Sequence, residues 1–368
     1  MKYPIHNRLA YCAIFCIDWL LKIGVRPFLK INSFPTSPKS ILLCNIAHLG
    51  DVILSTSLLP VLWEAFPHAR IGMLVGSWSR PLVEGHPLID RYHLIDHWKI
   101  SRAKESLIRK VLRYYRMRKA IRKEIAHYDL AIDCGLHFPN MSPLLWHAGI
   151  PHRIGFATAG FGPLLTHAHS WNPLENRSAA EAYCALLDPL PLNRSLLRPT
   201  LATSTPHPKP HMVIHMGSGN PQKNWPEAKW RSLVERLISD GERLLFTGLG
   251  PEEHATIERV RAHLPHTQNL CDKLSWEAFM ATIQNAALLI ATDTSAGHIA
   301  ATTNTPAVLL YTGVHPGNLW KPYGTKQVTL THPMPCSPCL KGCREMTCIQ
   351  SLSVDTVYTT IRSLNLKK

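Results

Sequence analysis

The sequence has no apolar run of the roughly 20 residues that a membrane-spanning helix needs. The N-terminal stretch Leu9–Val25 is 17 residues long and contains Asp18 and Lys22. No small-residue cleavage site of the signal-peptide kind follows it. Low-complexity tracts are also missing, and with 45% apolar and 18% charged residues the composition is that of a globular protein. Acids are scarce, 25 against 40 Lys and Arg, giving a formal net charge of +15. That imbalance points to an anionic partner: nucleic acid, a phospholipid surface or a phosphorylated substrate. The GxxxxGK[ST] spacing of a Walker loop does not occur. No DxD-type pair of carboxylates stands near the motifs below, so no essential divalent ion and no cofactor is expected. Disulfide patterning is lacking as well. Cys12, Cys16, Cys44, Cys134 and Cys184 sit in apolar surroundings, which reads as reduced, intracellular thiols.

What is present is an alternation of strand and helix signals in two halves. After a Pro/Ser-rich linker, Ile31–Ser40, strands are expected at Ile41–Cys44, Ile71–Val75, His93–Ile95 and Leu130–Asp133. Helices are expected at Leu54–Phe66, bent or delayed by Pro60, at Arg80–Glu84, and at Ser101–His127. In the last of these, Leu107, Ile108, Val111, Leu112, Tyr115, Ile121 and Ile125 fall on roughly one face. The proline-rich stretch around residues 191–210 reads as an interdomain linker. A second alternation runs from His211–His215 to Ala307–Tyr311, and Val354–Leu364 reads as a last helix. The pattern predicts an α/β fold with two parallel sheets. The boundaries are an N-terminal segment (1–39), a first domain (40–190), the linker (191–210), a second domain (211–350) and a C-terminal helix (351–368). Ligands in such sheets bind at the carboxyl ends of strands.

Six local features bear on chemistry or binding. ILLCNIAHLGDVILSTSLL places Asp51 at a strand-to-helix turn, as a helix cap or as a reacting carboxylate. In HMGSGNPQKNWP a strand ends in Gly217-Ser218-Gly219, with Lys223 before the next helix. This is a phosphate-binding turn or a plain glycine turn. In LIATDTSAGHIAA, Asp293 follows a strand, Thr294 and Ser295 open a helix, and His298 lies one turn on. They form an anion or ribose site, or an N-cap and a packed histidine. Between Arg102 and Lys123 there are ten Lys or Arg and one acid, Glu105. That stretch suits anionic lipid, a phosphorylated acceptor, nucleic acid or a solvated face. Cys336, Cys339, Cys343 and Cys348 are close enough for a metal, though packing or loop stapling accounts for them equally well. The N-terminal segment, flanked by Arg8, Lys22, Arg26 and Lys30, either lies in a membrane interface or packs on the protein's own body.

Taken in order, these pieces resemble glycosyltransferase family 9, the bacterial lipopolysaccharide heptosyltransferases. The resemblance runs from about Ser40 to Thr356 and includes RIGF (Arg153–Phe156), KNWP (Lys223–Pro226) and the late CSPC run. It implies a GT-B fold, with two Rossmann-like domains facing across a cleft. It also implies inverting transfer of heptose from ADP-heptose to the lipopolysaccharide inner core. By the same resemblance Asp51 is the general base and Lys223 holds the donor pyrophosphate. Ser218, Asp293, Thr294 and His298 are donor-site residues, and Leu274 packs near the base. An acid on the ribose is expected near Gly250, where Glu252, Glu253 and His254 stand; Glu253 is taken for that role. Two positions depart from the family. Asn45 stands where arginine is common, and Ser295 where glycine is common, which narrows the donor pocket. The expected partners are an ADP-sugar and a lipid A–core acceptor on the cytoplasmic leaflet of the inner membrane, without nucleic acid. The alternatives are a transferase using another nucleotide sugar, for O-antigen or capsule, and an inactive basic binding protein.

Overall fold

A computed structural model describes residues 8–364 apart from 30–32, 102, 173, 176, 189, 191, 204, 208, 340–342 and 344. Lys30 and Arg102, named above for their charge, therefore lie outside the described residues. The chain divides into two compact units between Ala202 and Thr203.

Unit 1 opens with helix α1 (Arg8–Gly24). There follow β1 (Ser40–Asn45), α2 (Leu49–Ser55), α3 (Leu58–Ala65), β2 (Arg70–Val75), α4 (Arg80–Val83), β3 (Arg91–Leu94) and α5 (Leu107–Ile125). The unit ends with β4 (Leu130–Asp133), α6 (Ser142–His147), β5 (His152–Phe156), β6 (His167–His169) and α7 (Ala179–Ala185). Its six strands are ordered β3-β2-β1-β4-β5-β6 and all pair in parallel. Every residue of β1 and β4 is buried. Parallel strands covered on both faces read as unbroken apolar runs, which is why ILLC and LAI mark the centre of the sheet.

Unit 2 holds β7 (Lys209–His215), α8 (Glu227–Ser239), β8 (Leu244–Thr247), α9 (Pro251–Arg261), β9 (Thr267–Asn269), α10 (Trp276–Gln284) and β10 (Ala286–Thr292). It closes with α11 (Ser295–Thr302), β11 (Ala307–Leu310), β12 (Gln327–Leu330), α12 (Thr347–Ser351) and α13 (Val354–Ser363). Its sheet, β12-β11-β10-β7-β8-β9, has the same order as the first when its strands are counted from β7, and is again all parallel. Both units are Rossmann-like. In each the strand order reverses once, between β1 and β4 and between β7 and β10. A crevice opens at that point, beyond the carboxyl ends of the strands. α13 packs on α8 as part of unit 2, and the Trp225 indole N–H donates to Leu352 O at 3.0 Å, tying the chain's end into this core.

Two helices differ from expectation. The helix expected over Leu54–Phe66 is two helices, with the first beginning at Leu49. Pro60 has no N–H, so the Thr56 carbonyl is served by Leu59 N at 3.0 Å instead, and the chain kinks. The hydroxyls of Ser55, Thr56 and Ser57 each bond back three residues, to carbonyls of Val52, Ile53 and Leu54, at 2.8, 2.6 and 2.6 Å. The apolar face expected along α5 is split. Ile121 and Ile125 are buried with Tyr114 and Met117 beside them, whereas Leu107, Ile108, Leu112 and Tyr115 are exposed. Only the part of this helix from Tyr114 onward packs on this core cluster.

Candidate functional site

In unit 2 the crevice is built by the turns after β7 and β10. The strand β7 delivers Met216-Gly217-Ser218, and Thr292 at the end of β10 donates its hydroxyl to Gly217 O at 2.9 Å, locking the two turns together. Ser218 Oγ donates to Asn220 O at 2.5 Å and to Asn224 Oδ1 at 2.9 Å, which shapes the loop carrying Lys223. The Lys223 ammonium reaches across to Asp293 Oδ2 at 2.6 Å. Thr294 caps α11, its side chain accepting Ala296 N at 3.3 Å; Ser295 is the first residue of the helix and is half-buried. His298 is 5% exposed, and its Nδ1 has no hydrogen-bond partner among the described residues. Burial holds its pKa down to about 4, with Asp293 opposing and Lys223 adding to the shift. The imidazole is therefore neutral near pH 7 and offers hydrogen bonds without charge. Positive potential comes from Lys223 and from the N-terminus of α11.

Two further residues join this group that the sequence did not single out. Tyr311, just past β11, is buried beside Asp293, which with burial pushes its hydroxyl well above the usual range; its O–H donates to Trp320 O at 3.1 Å. His315 lies near enough to Lys223 and Asp293 to feel both, though burial is the larger cause of its lowered pKa. The signal for Tyr311 was its place at the carboxyl end of a strand adjacent to β10. His315 lies in the loop beyond and carried none.

Glu253, in the first turn of α9, sits against the carboxyl ends of β7 and β8. A Cβ on Gly217 would fall 2.0 Å from its carboxyl carbon, so any larger residue there displaces the Glu253 carboxylate. Its Oε2 accepts Leu249 N at 2.9 Å. Burial raises its pKa, Asp272 adds to the rise, and the Leu249 bond opposes it. Glu252 points to solvent. Leu274 lies half-buried in the loop between β9 and α10.

In unit 1, Asp51 is the third residue of α2. Its Oδ2 accepts His48 N at 3.1 Å, and the His48 side chain accepts the Asp51 N–H, a reciprocal capping box. Asp51 therefore does cap the helix, while remaining half-buried at the mouth of the crevice beyond β1. Asn45 is 1% exposed; its Nδ2 donates to Asp51 O at 3.0 Å and its Oδ1 accepts Ala47 N at 3.1 Å. Buried Tyr183 of α7 stands beside Asp51 and hydrogen-bonds Asn45. The Asn45 position thus fixes the backbone that carries Asp51. On the neighbouring strand end, buried Asp133 accepts Gly135 N at 3.1 Å, Met141 N at 2.7 Å and Ser142 Oγ at 3.1 Å, holding the opposite loop. Burial raises its pKa to about 6 against these bonds.

The late cysteines do not converge. Among the described residues no group of three or more His, Cys, Asp or Glu is placed to hold a metal ion. Cys343 Sγ accepts Met346 N at 3.1 Å and Cys348 Sγ accepts Gly313 N at 3.2 Å, so these thiols tie loops. Residues 340–342 and 344 of that run lie outside the described residues.

Comparison with known proteins bears on both crevices. The family model described as "Glycosyltransferase family 9 (heptosyltransferase)" matches residues 114–349. Lipopolysaccharide heptosyltransferase 1 of Pseudomonas aeruginosa is 27% identical over 318 residues, covering 82% of this chain and 86% of that protein. A glycosyl transferase family 9 structure from Veillonella parvula superposes with a TM-score of 0.74 at 21% identity, covering 91% of this chain and 99% of that one. The E. coli heptosyltransferase WaaC with ADP gives 0.69 at 18% identity, covering 88% and 99%.

Proposed function

Because the chain belongs to glycosyltransferase family 9, the heptosyltransferases, and shares their GT-B fold of two Rossmann-like units, we propose that it moves a heptose from ADP-heptose to the lipopolysaccharide inner core. Unit 1, from residue 40, takes the acceptor and unit 2 the donor. The observation that carries the reading is the Lys223–Asp293 pair at 2.6 Å in the unit 2 crevice, beside neutral His298 and the start of α11. A cation and a helix N-terminus at a strand-order reversal suit a nucleoside diphosphate.

The chemistry is a single displacement with inversion. The acceptor hydroxyl oxygen bonds to the anomeric carbon from the side opposite the nucleotide. Its proton passes to the Asp51 carboxylate as the carbon–oxygen bond to the diphosphate breaks. The bond electrons leave with ADP, whose growing charge is met by Lys223 and the N–H groups opening α11. Thr294, Ser295 and Ser218 line the phosphate region, Glu253 takes the ribose hydroxyls, and Leu274 packs on the base. Asp51 is supported in this role by its place on the first turn of α2, held by Asn45 and His48. The acceptor is a lipid, which places the enzyme on the cytoplasmic leaflet of the inner membrane as a peripheral protein. Among the described residues no helix is long and apolar enough to cross a membrane.

Thermal unfolding with matched concentrations of ADP, UDP, GDP and CDP tests the donor. At a hundredfold excess over its dissociation constant a ligand stabilises the fold by about 2.7 kcal/mol. The expected result is a shift with ADP alone, abolished by Lys223→Ala. A preference for UDP or GDP keeps the transferase and replaces the donor. No shift with any nucleotide removes the donor site from Lys223.

A further inference from the structure

Helix α1 is built inside out. Its single acid, Asp18, is 2% exposed and accepts the Phe161 backbone N–H at 2.7 Å. Only Ile14 is buried with it, close against Gly160, where an added Cβ would meet the isoleucine at 2.9 Å. Outward go the large apolar side chains instead: Trp19, Leu20 and Ile23 are each more than half exposed. A helix on the surface of a water-soluble protein has the opposite arrangement, with apolar residues inward.

The feature extends beyond one helix. α1 packs on the turn Gly162–Leu164, α6 packs on the same turn, and α5 packs on α6. Arg118 Nη2 donates to Pro143 O at 3.4 Å and Arg122 lies 2.6 Å from His147, joining α5 to α6. On these mutually packed elements lie twelve of the fifteen exposed large apolar residues among those described, counting Phe28 in the turn after α1. So the apolar exposure is concentrated in one place rather than scattered. On α5 the exposed stripe Ile108, Leu112 and Tyr115 is bordered by exposed Arg109, Arg116 and Lys119. The helix carries eight Lys or Arg against one Glu.

We propose that α1, α6 and the N-terminal half of α5 form one docking face for an anionic lipid bilayer, with α1 lying in the plane of the headgroups. This deepens the membrane-surface part of the reading above and rests on it for the lipid nature of the acceptor. Length agrees: 17 residues make a helix of about 25 Å, enough to lie along the interface with its apolar side sunk into the headgroup–acyl boundary. Charge decides between occupants. A second copy would bring the same basic α5 against itself, on a chain already at +15, and like charges repel. Anionic lipid complements the basic border and solvates the apolar stripe at once. The internal Asp18–Phe161 bond sets which side of α1 faces out.

Co-sedimentation of the full chain with phosphatidylcholine vesicles, with and without phosphatidylglycerol, tests the proposal. Binding is expected to the anionic vesicles and to weaken with added salt. Trp19→Glu/Leu20→Glu lowers the partition coefficient on the order of a hundredfold, with unchanged circular dichroism. Ile108→Glu/Leu112→Glu, on the other helix, lowers it independently. Binding that survives both pairs, or that ignores phosphatidylglycerol, overturns the proposal. So does a concentration-dependent dimer, abolished by the same substitutions, in a protein that ignores vesicles. The ADP-induced thermal shift on the same samples separates the two readings. Its presence without vesicle binding refutes the docking face alone, and its absence refutes the ADP donor of the reading above whatever the vesicles show.

Discussion

Lys223→Ala removes more than a phosphate contact, because it strands Asp293. The carboxylate is 12% exposed at its side chain and has the ammonium as its ion-pair partner at 2.6 Å. With lysine gone, an ADP diphosphate entering the crevice loses one charge-assisted hydrogen bond, about 2 kcal/mol. It also meets an uncompensated negative charge. Two unit charges about 4 Å apart at an effective dielectric of 20 repel by about 4 kcal/mol. Lys223 itself is 30% exposed, so water reaches the pair and about half of that repulsion survives. The sum, about 4 kcal/mol, is roughly a thousandfold loss in ADP affinity. Lys223→Ala/Asp293→Asn removes the repulsion as well, and is expected to bind ADP about thirtyfold more tightly than the single variant. Isothermal titration with ADP, which lacks the heptose, reads this directly. A double variant that binds as weakly as Lys223→Ala would refute the reasoning. It would mean that Asp293 is no burden to the anion and that the ion pair is incidental to the site.

Asp51→Asn keeps an acceptor for the His48 N–H and should fold with near-native stability, while turnover falls by roughly 10²–10⁴-fold in a steady-state transfer assay; near-normal turnover would remove Asp51 from the mechanism. Arg153 is 5% exposed and donates to the carbonyls of Leu164, at 2.8 Å, and Ile150. Arg153→Ala strands both carbonyls and should cost about 3 kcal/mol in urea unfolding, with ADP binding by the folded fraction unchanged. Burial lowers the pKa of His97 and His298 to about 4. The unfolded chain takes up these protons first, so their contribution is complete above about pH 6.5 and is withdrawn as pH falls towards 4, roughly 3 kcal/mol each. Asp133, raised to about 6, works in the opposite sense between about pH 4 and 6. Urea titrations across this range should show net acid destabilisation, made shallower by His298→Gln.

The central strands could be read from the sequence because strands buried on both faces leave no polar interruption. Of the four edge strands only β3 could. β6 is HAH and β9 is TQN, three residues each, while β12 is only partly buried. A short strand at the rim has neither an apolar run nor strict alternation to give it away. The same limit applied to short α6, α7 and α12. In the crevices, Asp51, Lys223, Asp293 and His298 stood out because each is a charged or titratable residue in the turn or first helical turn that follows an apolar strand. Tyr183 did not, since it is buried against Asn45 and Asp51, far from it in sequence, and Asp133 read only as the end of a strand. The late cysteines left two readings open. Their spacing allowed a metal or loop stapling, and the N–H groups of neighbouring Met346 and of Gly313, 35 residues away, bond two of the thiols.

Each sheet starts and finishes within its own unit, and among the described residues no strand pairs across the Ala202–Thr203 boundary. This has a hereditary consequence. A recombination breakpoint in that stretch transmits two whole sheets and cuts neither. If unit 1 carries the acceptor chemistry and unit 2 the donor chemistry, the two preferences can then pass between lineages as separate traits. A bacterium altering its surface sugars by such an exchange needs no new scaffold, only a different half.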